Sequence, residues 1–150
     1  MKSLASAAVL DETRQRLLRV TAGDIPHWGK MTATQMVGHL GCACEAALGE
    51  RTVASVKIAV PPAVMKFMAL RSGLRWAKNI QTTAEMKQGI AETPEGAFEV
   101  LRQVAIERIK SLASGAQLAP SHPFFGAMSV EDWLRWGYLH ADHHLRQFGR

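Results

Sequence analysis

The sequence is poor in several features that define protein classes. Only two cysteines occur in its 150 residues, Cys42 and Cys44. Two thiols one residue apart make neither a disulfide framework nor a zinc ribbon. No run approaches 18 uninterrupted apolar residues, so no membrane-spanning helix is expected. There is no internal repeat, no low-complexity tract and no convincing alternating strand. The net charge is +5 and the pI about 9.6, yet Lys and Arg never gather into blocks. Arg14, Arg16 and Arg19 follow Asp11 and Glu12, for example. Without a recognition helix dense in Arg and Lys, or basic residues interleaved with aromatics, nucleic acid is not an expected partner. A membrane surface is not expected either.

What is present is an ordinary globular composition, 47% hydrophobic and 21% charged. That balance argues against disorder and collagen. The length suits a single domain over residues 1–150, and a chain of this size buries roughly 70% of its surface without a staple. The opening MKSLASAAVLDETRQRL has a short, Ala-rich apolar stretch that runs into Asp11, Glu12, Arg14 and Arg16. It reads as the first helix of a cytoplasmic protein and not as a signal peptide.

Helical periodicity dominates. The first helix is expected over 5–21, ended by Gly23, Asp24 and Pro26. A second over 32–49 opens with Thr32-Ala-Thr-Gln35, a capping box, and carries Met36, Leu40, Ala43 and Ala47 as its stripe. A third over 93–114 starts at Thr93-Pro94 and buries Phe98, Leu101, Ala105, Ile109 and Leu112. A fourth over 129–148 opens with the box Ser129-Val-Glu-Asp132. Residues 51–90 hold an extra short helix from Pro61-Pro62 to Gly73, apolar on most sides. The fold class is therefore all-α, a four-helix bundle whose long connection between the second and third helices permits a crossover.

Six histidines are the informative residues. His140 and His144 lie about 40° apart on one side of the fourth helix, close enough for both imidazoles to reach one metal ion. They border the face of Leu134, Tyr138, Ala141, Leu145 and Phe148. Glu131, Arg135, Asp142, Arg146 and Arg150 form the expected solvent face, with His143 nearer to it. A third ligand must come from elsewhere, and His39 is the best placed, beside the stripe of the second helix. His27 and His122 fall in loops. Gln147, one turn past His144, is a candidate to orient that ring. Cys42 lies one turn beyond His39, and His122 is in a loop that either closes over the site or plugs the helix ends. Cys44 points about 200° away from Cys42, so both thiols read first as buried structural groups.

Trp28, the run Met36-Val-Gly-His39-Leu40 and the C-terminal His140-x3-His144-x2-Gln147 together resemble the DinB/YfiT-like superfamily. The segment HPFFGAMSVEDWLRWGYLHADHHLRQFG is similar to an uncharacterised branch of it. The resemblance implies a four-helix bundle in which His39 joins His140 and His144 around a divalent transition metal: zinc, nickel or iron. It also implies frequent dimers, so a homodimer is expected. The functions it implies are a metal-dependent hydrolase or a thiol-dependent transferase acting on a small molecule. The alternative is a non-enzymatic dimeric binding module with the metal structural or absent. No carboxylate is well placed as a general base, since Asp142 sits on the polar face and Glu45 lies off the face of His39.

Overall fold

The computed structural model describes residues 1–57, 59–80 and 82–150, apart from the side chains of residues 88 and 89. Among the described residues six helices form: α1 (Ala7–Leu18), α2 (Ala33–Ala47), α3 (Pro62–Leu70), α4 (Ala84–Ala91), α5 (Phe98–Ser114) and α6 (Val130–Gln147). A two-residue hairpin pairs β1 (Ser121–His122) with β2 (Gly126–Ala127). The fold is all-α in substance. No helix is long and apolar enough to cross a membrane among the described residues.

Local chemistry sets the helix ends. Both capping boxes form: Thr32 Oγ1 accepts from Gln35 N at 3.2 Å, and Ser129 Oγ accepts from Asp132 N at 3.1 Å. The returning bonds run from Thr32 N to Gln35 Oε1 and from Ser129 N to Asp132 Oδ2. The third long helix departs from the sequence reading. It begins at Phe98, not at Thr93-Pro94, because Gly96 adopts φ +79° and interrupts any helix from Pro94. The helix α4 just before it was not anticipated. Hairpin strands at 121–127 were not anticipated either.

The four long helices build the core. Gly38 lies close to Leu101, Gly41 to Ala105, and Glu45 Oε1 lies 3.9 Å from Arg108. The numbers rise together, so α2 and α5 run parallel. That direction requires the crossover that residues 48–97 supply. Leu4 N to Leu134 O just before α1, and Arg16 to Asp142 near its end, make α1 parallel to α6. Gly115 (φ +65°) caps α5, and residues 115–129, which include the hairpin, lead back into α6.

The centre of α6 comes unusually near its neighbours. A Cβ built on Gly137 would lie 2.7 Å from both Leu112 Cδ2 and Leu4 Cδ1. Both leucines are fully buried. Gly137→Ala gains helix propensity of nearly 1 kcal/mol but overpacks this crossing, which costs about 1–3 kcal/mol. The expected outcome is a net loss of stability, read as a lower urea midpoint at unchanged slope.

Of the expected solvent face of α6, Glu131 is exposed, Asp142, Arg146 and Arg150 are half-buried, and Arg135 is buried. Arg135 is buried, with Nε donating to Leu70 O at 3.1 Å. Asp142 is half-buried and held by Arg16 and Arg146, each at 2.8 Å. His143 is buried as well. Arg16 of α1 covers part of this side, together with the N-terminal residues, the end of α3 and the stretch after it.

Candidate metal centre

Helix α2 brings His39, and α6 brings His140 and His144, to one point in the core. One donor atom from each of the three rings lies within 4.8 Å of the others. The Nε2 atoms of His39 and His140 are 3.1 Å apart. Two nitrogens bound about 2.0–2.1 Å from one ion are separated by roughly 2.9–3.4 Å for angles between right and tetrahedral. The gap between His39 and His140 suits a shared ion, while the wider separations within the set, up to 4.8 Å, require the rings to close in on it. Among the described residues no carboxylate or thiol joins this cluster.

The ring of His144 is fixed by its neighbour. Gln147 Nε2 donates to Trp28 O at 2.7 Å, which turns the amide oxygen towards His144. Oε1 then lies 2.9 Å from His144 Nδ1. An amide oxygen only accepts, so the proton sits on Nδ1 and the lone pair on Nε2 is free for the cluster. The loop before α2 completes this arrangement. His27 N donates to Gln147 O at 2.7 Å. Gly29, at φ +79°, lies so close that a Cβ there would be 2.7 Å from Gln147 Nε2.

Aromatic rings enclose the histidines. Trp136 stacks on His140 with ring centres 4.8 Å apart. Trp76 packs at 6.2 Å from His140 and 6.1 Å from His143. Trp28 meets His143 edge-on, and Lys78 Nζ lies 4.7 Å above the Trp28 ring. Burial leaves His39, His140 and His144 at 7%, 9% and 8% exposure. It holds all three neutral: His39 is pushed down to about 4, and His140 and His144 fall well below the usual imidazole value, with the other histidines adding to the effect. Neutral rings are the form that binds metal.

The other residues singled out from sequence divide. Gln147 contacts His144 directly. His143 lies beside His144, with ring centres 5.1 Å apart, and its Nδ1 is buried without a hydrogen-bond partner. His122 stacks on Phe125 at 4.2 Å and lies 5.6 Å from the Trp136 ring that stacks on His140, so it stands behind the cluster and not in it. Cys42 stays outside; its charged neighbours are Arg51 and Glu45, and burial raises its thiol pKa. Glu45 is engaged by Arg51 at 3.0 Å. Trp76, Lys78 and Gly29 were not singled out, because nothing in the sequence around them places them at this point.

Acid should destabilise the metal-free protein in a defined window. Burial holds His39 near 4 and His122 near 3, while an unfolded chain titrates its histidines near 6.5. Between these values the unfolded state binds more protons, so stability is complete above about pH 6.5 and falls as the pH drops towards 4. His39 alone accounts for about 3 kcal/mol, or a melting point roughly 10 °C lower at pH 4.5 than at pH 7. Thermal melts across this range check it; a flat profile contradicts neutral burial.

The family model of the DinB superfamily matches residues 7–148, spanning all six helices and every residue of the cluster. Comparison with curated proteins finds no match. Comparison with solved structures finds none either. With that match over nearly its whole length, the chain belongs to the DinB superfamily.

Proposed function

We propose that this protein is a metal-dependent enzyme in which His39, His140 and His144 hold one divalent transition metal ion. The overall arrangement is then a four-helix bundle of the DinB/YfiT-like type, formed by α1, α2, α5 and α6. The observation that carries the reading is the convergence of three neutral, buried imidazoles from two helices. Such an ion supplies a Lewis acid with open coordination positions. The chain's own part is to keep the three rings deprotonated, to fix His144 through Gln147, and to limit water with Trp28, Trp76 and Trp136.

The reaction class is a hydrolysis or a thiol-dependent transfer on a small molecule. The two carboxylates nearest in sequence to the ligands, Glu45 and Asp142, are both held in ion pairs. A hydrolase would therefore draw its base from elsewhere, which favours the transferase branch. The same burial and missing carboxylate support a second reading, a binding module with a structural metal. Elemental analysis of untagged protein tests both readings first. Water-proton relaxation of the Mn²⁺ or Co²⁺ form then separates them: an exchangeable water supports the enzyme, and its absence the binding module.

Homodimerisation belongs to the same reading. One side of α3 leaves Val64, Phe67 and Met68 at 47%, 62% and 50% exposure, while Met65, Ala69 and Leu70 face inward. A two-fold contact through that face would cover it. Sedimentation at micromolar concentration should give twice 16.4 kDa, and Phe67→Glu should shift it towards the monomer. A monomer in the unaltered protein would count against it.

A further inference from the structure

Arg135 is a buried cation without an acid. It is 9% exposed, and its guanidinium donates to Leu70 O and Lys2 O, both main-chain carbonyls. No carboxylate lies within ion-pairing distance of it among the described residues. Burial lowers its pKa and the charge of Arg71 acts in the same direction, while Tyr138 and the Asp142 carboxylate oppose the shift. Two carbonyl dipoles, the Tyr138 ring at 5.9 Å and the more distant Asp142 carboxylate offset this charge, and a desolvated cation with no ion-pair partner favours an anion able to reach it.

A route exists. Arg135 lines a cleft of about 240 Å³ between residues 73–76 and α6. Lys2, Arg75 and Arg146 share the wall, so four cations face the single carboxylate of Asp142. That carboxylate is already bonded to Arg16 and Arg146. Lys2 is paired with Glu12. Arg75 makes no ion pair or hydrogen bond among the described residues, although it stands at the cleft beside Trp76. The geometry points to a binding site for a small-molecule oxyanion, a carboxylate or phosphate group, held in this cleft between Arg75 and Arg135. Guanidinium groups present planar, paired donors that match either head group. Tyr138 and Trp76 give the cleft flat walls for an attached carbon skeleton. Trp76 also packs against His140 and His143, so one ring borders both the cleft and the histidine cluster.

The test uses the full chain stripped of metal, so its result is independent of the metal reading. Inorganic phosphate is titrated calorimetrically at ionic strength held constant with chloride. Saturable one-to-one binding is expected. Arg75→Gln, at an exposed position, should weaken it about 10-fold, the effect of one charge-assisted contact. Lys110→Gln removes the same charge from an exposed site on α5 and should leave affinity within about 2-fold. Arg135→Gln should weaken binding further, with its melting curve recorded to confirm folding. Acetate then competes: displacement of phosphate supports a carboxylate ligand, and failure to displace it supports a phosphate. Two results overturn the proposal: no saturable binding of either anion, or equal weakening by Arg75→Gln and Lys110→Gln.

Discussion

Alanine at His140 or at His144 is expected to lower affinity for a divalent transition metal by more than about 100-fold. Losing a residue that merely supports a ligand costs about 10–100-fold, and loss of one of three ligands should exceed that. The geometry makes the effect specific. His140 Nε2 faces His39 Nε2 at 3.1 Å, so either ring alone leaves its partner without a shared target. His39→Ala should behave like the other two. His143→Ala is the internal control, since it removes an adjacent buried imidazole that lies outside the converging set. Its affinity should stay within a few-fold of the unaltered protein. Metal stoichiometry and competition with a chelator provide the measurement, with circular dichroism recorded on each variant. Retention of one tightly held ion per chain by both the His140 and His144 variants would sink the assignment. Tryptophan emission gives a second readout, because Trp136 stacks on His140 and a paramagnetic ion there should quench it.

How much of this was readable in the sequence depends on the range of the physics involved. The capping boxes at Thr32 and Ser129 are local, involving residues three apart, and both formed as read. The i, i+4 relation of His140 and His144 is equally local. The start of α5 differs from the sequence reading because two local signals compete there: Thr93-Pro94 suggests a beginning, but Gly96 takes a left-handed conformation two residues later. The polar character of α6 misled for a different reason. Periodicity places Arg135, Asp142 and His143 on or near one face, and it assumes that a polar face meets water. Here Leu70 O, Lys2 O and Arg16 come from remote parts of the chain to satisfy those groups. Trp76 shows the limit most directly. It lies in the weakly patterned stretch 51–90, yet it packs on two of the histidines through contacts more than 60 residues away in sequence.

Gln147→Leu is expected to weaken metal binding by about 10–100-fold while leaving all three histidines in place. The substitution removes the oxygen that holds the proton on His144 Nδ1, so the ring can rotate or present the wrong nitrogen. It also removes the donor to Trp28 O, leaving a carbonyl unsatisfied at a cost of about 1–3 kcal/mol. Gln147→Glu separates the two roles. A carboxylate still accepts from Nδ1, and does so more strongly, but it cannot donate to Trp28 O. Metal affinity should therefore be kept or increased while the melting point of the metal-free protein falls. Gly29→Ala approaches the same contact from the loop, since its new methyl would meet Gln147 Nε2 and would force a side chain into φ +79°. Its affinity should drop alongside that of the Leu variant. If affinity merely follows melting point across all three substitutions, Gln147 acts through packing alone and the orienting role is wrong. If the Glu variant binds as tightly as the unaltered protein despite a lower melting point, the hydrogen bond to His144 is what sets the geometry of the site.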